Sequence, residues 1–202
     1  MKLYYLKGAC SLASYISLLE AGQKFEGFEV ERGTKNATDG KNLNDINPKG
    51  YVPVLVLDDG SVLTENVNVL SYISTLDASH NLAPEVGSPG FFKVLEWLAF
   101  VNGEIHKQIG VLFRPDASDD MKAFARKNAL TRYAYVDKML GDKAFLTGDR
   151  FTVADAYLYV TLSWLGMLQL DISGLPKLTA YYERARARPS VQRARKEEGL
   201  PA

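Results

Sequence analysis

Apolar and polar positions along the chain follow two rhythms in turn. Lys2 to Leu6 (KLYYL) is an aromatic and aliphatic run closed by the loop Lys7-Gly8-Ala9-Cys10, which predicts a strand. From Ser11 the spacing lengthens: Leu12, Tyr15, Ile16 and Leu19 recur at helical intervals, and Gly22 stands where a helix-ending glycine belongs. In KFEGFEVER, Phe28 and Val30 share one face and Glu29 and Glu31 the other, a second strand. A polar stretch over 33–50 then leads into YVPVLVLDDGSVLTE, where Asp59-Gly60 joins two apolar runs and predicts a hairpin. Val67, Leu70, Ile73 and Leu76 give a third helical face and complete an α/β unit over residues 1–80.

The character then changes. Asp77 to Gly90 is poor in large apolar residues and holds two prolines and two glycines, so it reads as a linker. Beyond it the pattern is helical throughout, over residues 88–202. Phe92, Leu95, Leu98, Asn102, Ile105, Ile109 and Leu112 mark one long helix ending before Pro115, and Ser118-Asp119-Asp120 looks like the start of another. Thr152 and Asp155 have the spacing of a capping box ahead of AYLYVTLSWLGML, a local device worth about 1 kcal/mol.

Composition narrows the function classes. The chain has 202 residues, 47% of them hydrophobic, enough for one large or two small cores, and its 24 basic and 24 acidic residues leave no net charge. Nothing in that balance favours nucleic acid or an anionic membrane. The single cysteine cannot close an internal disulfide, no signal-peptide pattern opens the sequence, and no apolar run has membrane-spanning length; the expectation is a cytoplasmic protein. That cysteine, Cys10, sits where a strand turns into a helix: either a small apolar filler or a thiol whose pKa the helix N-terminus lowers.

An α/β first half with Pro53 opening its third strand, joined to an all-helical second half, resembles the glutathione S-transferases, whose first domain is thioredoxin-like. YYLKGACSL, INPKGYVPVL, LTE, EIHK and GDRFTVADAYL are similar to segments of the bacterial beta class, and the resemblance covers essentially the whole chain. It implies a thioredoxin-like glutathione-binding domain over 1–80 and an all-helical domain over 88–202 that supplies the electrophile site. It further implies a homodimer with glutathione as co-substrate and no metal. A glutathione-dependent thiol-disulfide or peroxide reductase acting through Cys10, and a non-catalytic binding module, are the alternatives on the same fold.

On residues alone, Pro53 is either an edge-strand proline or the second half of a cis Val52-Pro53 bond that leaves Val52 free to pair with an extended peptide. Glu65 and Asn66 open the third helix, where free N–H groups suit a carboxylate; Asn66 departs from the serine usual in the resembled class. The resemblance implies that Cys10 and Ser11 lie near the glutathione sulfur, that Lys35 neutralises the glycyl carboxylate, and that Glu65 holds the γ-glutamyl ammonium. It also places Glu104 and His106 of EIHK beside the cleft, with Cys10 and His106 as catalytic candidates. Ala99 and Tyr15 stand where relatives carry asparagine and histidine. Leu112, Phe113, Trp164, Leu165 and Met167 are either core or acceptor pocket, and His80 reads as surface.

Overall fold

A computed structural model of the chain describes residues 1–201. Its first half is a four-stranded sheet in the order β2-β1-β3-β4. Strand β1 (Lys2–Tyr5) lies parallel to β2 (Glu26–Glu29) and antiparallel to β3 (Val54–Val56), and β3 pairs antiparallel with β4 (Val62–Thr64). The parallel step needs a crossover, which is helix α1 (Leu12–Glu20). Because successive side chains of a strand face opposite ways, Leu3 and Tyr5 enter the main core while Tyr4 joins Val30, Val54 and Phe28 beneath the short helix α2 (Leu43–Ile46).

Helix α3 (Asn66–Thr75) follows the hairpin but presents a different face from the expected one: Val69, Leu70 and Ile73 are buried, whereas Val67 and Leu76 are only half-buried. Its first residue accounts for the rotation, since Asn66 points inward and ties to α1. The linker is also more ordered than its composition suggests. Asp77 accepts the N–H groups of Ser79, Asn81 and Leu82, and Leu82 and Ala83 are buried in the core. Leu82 O in turn accepts Val153 N–H at 3.0 Å.

The second half is helical, and among the described residues no strand follows β4. Helix α4 (Pro89–Phe100), a π-helical turn (Val101–His106) and helix α5 (Lys107–Leu112) form one continuous run that stops before Pro115. Helix α6 (Asp119–Leu140) opens with Ser118 Oγ accepting Met121 N–H at 3.3 Å. Helix α7 (Val153–Ser163) lies at the centre and is buried along almost all of its length. The short α8 (Leu165–Leu168) precedes α9 (Pro176–Arg186) and α10 (Pro189–Glu197), both with proline in the first turn, where its missing N–H costs nothing. Helix α1 packs on α3, α7 and α10, which brings both halves and the carboxyl-terminal segment to the loop after β1. Among the described residues no helix is long and apolar enough to cross a membrane.

Candidate active site

A cleft of about 710 Å³ opens between the β1–α1 loop, the 47–53 segment, the start of α3, the π-turn with α5, and α7. Cys10, Lys35, Val52, Pro53, Glu65, Asn66 and His106 all line it, so positions scattered over nearly a hundred residues converge. A larger groove of about 840 Å³ lies between α9 and α10, but it holds no thiol, imidazole or exposed backbone of the sheet.

Cys10 is partly buried at the amino end of α1, and its Sγ donates to Val52 O at 3.5 Å. The expected lowering of the thiol pKa is not what this environment gives. Burial pushes it up to about 11; the Cys10 and Ser11 N–H groups pull the other way, and the Glu65 charge adds to the rise. Desolvation outweighs the helix end because the sulfur is walled in on the sheet side. Ser11 does not present its side chain to the cleft. It is fully buried, accepts Leu6 N–H at 3.1 Å and donates to Leu6 O at 3.3 Å, closing the loop rather than meeting a ligand.

The Val52-Pro53 bond is cis, and Val52 lies just beyond the last ladder pair of β3, Val54 with Tyr4 and Thr64. Glu65 heads α3 at φ 67°, a left-handed conformation unusual for a side chain of its size and a common mark of a site. Its carboxylate pairs with Lys49 at 2.6 Å. Asn66 is buried: it accepts from Ser14 Oγ at 3.1 Å and donates to Cys10 O at 3.2 Å, so this departure from serine joins α3 to α1. Lys35, also at positive φ, donates to Gly50 O at 3.2 Å. With Arg32 and Lys107 it gives the cleft three cations facing one carboxylate, Glu65.

His106 stands on the π-turn with Nδ1 2.6 Å from the Tyr157 hydroxyl, which donates to Asn102 Oδ1 at 3.0 Å. Its ring packs 5.2 Å from Trp164, and burial pushes its pKa down to about 4, so it is neutral at pH 7. Trp164 is core on this side, with Nε1 donating to Gly8 O at 2.8 Å, and Leu165 is buried as well, whereas Phe113 and Met167 are exposed. Glu104 is not brought to the cleft. It faces away toward α6 and pairs with Arg132 at 2.8 Å, as expected of residues two apart on a helix. Ala99 is exposed outside the cleft, and His80 is exposed in the linker. Tyr15 is buried and donates to Glu197 at 2.7 Å, so it fastens α10 to α1. Sequence reasoning missed Arg32, Tyr51 and Tyr157 and took Asn102 for a core position. A polar residue recurring among apolar ones was the available signal for Asn102.

The sheet with its cis-proline turn, the helical half and the cleft between them define one class of protein. The chain matches the Glutathione S-transferase, N-terminal domain, over residues 9–76 and the Glutathione S-transferase, C-terminal domain, over 94–189, and it belongs to the glutathione S-transferase family. It is 40% identical to Glutathione S-transferase GstA of Escherichia coli O157:H7 over 99% of this chain and 100% of that one. Among solved structures it is similar to a sphingomonad glutathione S-transferase complexed with glutathione, with TM-score 0.95 and 40% identity over all of both chains. A bacterial beta class glutathione S-transferase of Sphingomonas chungbukensis matches equally, at TM-score 0.95 and 40% identity over both full chains.

Proposed function

We propose that the chain conjugates the thiol of glutathione to hydrophobic electrophiles. The observation that carries this reading is the meeting, in one cleft, of the Val52 backbone beside a cis proline, the Cys10 sulfur 3.5 Å from Val52 O, and the left-handed Glu65 at the head of α3. An extended γ-linked tripeptide can pair with Val52 as an added strand does. Its γ-glutamyl carboxylate then meets the free N–H groups of α3, its ammonium meets Glu65, and its glycyl carboxylate lies toward Lys35. This places its sulfur near Cys10 and His106.

The attacking atom is glutathione's own sulfur. With a pKa near 11, Cys10 is about 0.01% thiolate at pH 7, so it serves as a neutral neighbour rather than a nucleophile. Neutral His106 accepts the thiol proton as the S–C bond forms, and with an aryl chloride the chloride departs with the C–Cl electron pair. Phe113, whose ring meets Trp164 at 5.7 Å, supplies an exposed aromatic surface one turn beyond the cleft for an apolar electrophile. Holding that electrophile beside the sulfur provides most of the acceleration. The chain acts as a cytoplasmic homodimer in this reading.

Replacing Cys10 by alanine is expected to leave conjugation of glutathione to a chlorinated dinitrobenzene within about threefold of the parent rate, because no step needs that sulfur. Loss of conjugation in C10A, with glutathione binding intact, would overturn glutathione's own sulfur as the attacking atom, whereas a glutathione-dependent disulfide exchange that the parent carries out and C10A does not would support the reductase reading. A folded parent protein that is not retained on immobilised glutathione would support the non-catalytic module. Glu65→Gln is expected to weaken glutathione binding about tenfold, the contribution of one charge-assisted hydrogen bond, as read by calorimetric titration. An unchanged affinity would remove Glu65 from the ammonium site.

A further inference from the structure

We infer that Tyr157 and Asn102 are positioning residues that hold His106 in its Nδ1-protonated tautomer and so turn the Nε2 lone pair toward the thiol in the cleft. The inference rests on the reading of His106 as proton acceptor and adds what makes it one.

Counting protons carries the argument. Three atoms share two hydrogen bonds in series: His106 Nδ1, the Tyr157 hydroxyl 2.6 Å away, and Asn102 Oδ1 at 3.0 Å from that hydroxyl. An amide oxygen accepts only, and a phenol has one proton to give. With Asn102 presenting its oxygen to the hydroxyl, Tyr157 gives its proton to Asn102, and the bond on its other side is then donated by His106. A neutral imidazole that donates from Nδ1 carries its lone pair on Nε2. Burial keeps the ring neutral, with a pKa near 4, so the choice of tautomer is open to its surroundings at pH 7. Nε2 has no hydrogen-bond partner among the described residues and is not a buried orphan atom, so it opens into the cleft that His106 lines.

The backbone explains how two residues of one helix reach the same hydroxyl. Asn102 and His106 lie in the π-helical turn Val101–His106, whose wider winding is frequent at functional sites, and α7 presents Tyr157 to both. Tyr157 is fully buried, yet its hydroxyl makes two contacts and the residue lines the cleft. The wrong tautomer would direct an N–H at the thiol, which cannot then pass on its proton.

The test is nitrogen-15 NMR of histidine-labelled protein at pH 7, free of ligand; the chain has two histidines, and exposed His80 serves as the internal reference. The expected spectrum shows His106 with a protonated Nδ1 and an unprotonated Nε2. In Asn102→Leu the Tyr157 proton loses its acceptor and turns to Nδ1, so His106 should switch to the Nε2–H form. The conjugation kcat should then fall about tenfold while KM for glutathione stays within about twofold. A parent protein whose His106 carries its proton on Nε2 overturns the proposal, and that measurement needs no variant to fold. Should N102L switch the tautomer and leave kcat unchanged, the tautomer assignment survives but the positioning role fails. If His106→Asn retains the parent kcat, the underlying reading of His106 as proton acceptor fails separately.

Discussion

Replacing Asp155 by alanine is expected to destabilise the chain by about 3–5 kcal/mol, with a fall in Tm of roughly 10 °C for a protein of this size. Asp155 is fully buried and its carboxylate accepts four hydrogen bonds: from Leu146 N–H at 2.9 Å, Thr152 N–H at 2.8 Å, the Thr152 hydroxyl at 2.7 Å and the Tyr181 hydroxyl at 3.0 Å. The tyrosine has a second acceptor in Asp155 O, at 3.2 Å. The other donors have none, and a buried polar group left unmade costs about 1–3 kcal/mol. Thr152→Ala, which removes the capping hydroxyl and leaves the carboxylate its remaining donors, is expected to cost only about 1 kcal/mol. Thermal unfolding followed by circular dichroism checks both. An Asp155→Ala protein that melts within about 3 °C of its parent would show that the four donors find other partners.

The contrast between these two substitutions shows what was legible in the sequence. Thr152 and Asp155 are three apart, and their spacing announced a helix start. What it could not announce was that a loop N–H at Leu146 and a tyrosine on α9 end on the same carboxylate. The same division runs through the site. Pro53 after an apolar residue at a strand start, Glu65 before a helical face and Cys10 at a strand end are local signals, and the structure gathers them in one cleft. Ser11 and Glu104 carried the same kind of signal from adjacent positions. Their side chains turn elsewhere because a neighbour in a helix or loop does not share its direction.

Tyr157 was invisible for a complementary reason. Helix α7 is apolar nearly all round, and a tyrosine in such a helix reads as core until its partners, half a hundred residues upstream, are known. The π-turn that aligns those partners left one trace, the polar Asn102 and adjacent Gly103 in the middle of an otherwise regular apolar repeat. Thiol chemistry was legible in position and not in sign. A helix N-terminus does face Cys10, but how far burial opposes it depends on walls contributed by Val52, Asn66 and α7, none of which the local sequence fixes.

Glu198→Gln is expected to flatten the pH dependence of stability, by about 3 kcal/mol between pH 4.5 and 8 relative to the parent protein. Glu198 follows α10, is 3% exposed, and accepts Gly8 N–H at 2.7 Å through one oxygen while the other is buried without a partner. Burial pushes its pKa up to about 7; the Gly8 N–H and Lys7 pull it down and Glu29 adds to the rise. A carboxyl that binds its proton more tightly when folded stabilises the fold fully below its unfolded pKa, near 4.5, and that contribution is lost as pH rises through about 7. The amide never ionises, so it cannot reproduce the loss. Neighbouring Glu197, held low by Tyr15 and Arg193 against its own burial, works in the opposite sense and is common to both proteins, so the difference between them isolates Glu198. Urea unfolding of the two proteins at pH 5 and at pH 8 reads it, and parallel pH profiles would show that Glu198 ionises in the fold as it does in the open chain. The effect bears on the cleft as well: Gly8 is held by Glu198 through its N–H and by Trp164 through its carbonyl, so the loop carrying Cys10 is clamped from the helical half on both sides. Above pH 7 the stability lost is the cost of a buried charge, while the Gly8 N–H bond itself favours the ionised form, so both clamps on the loop persist as the fold weakens.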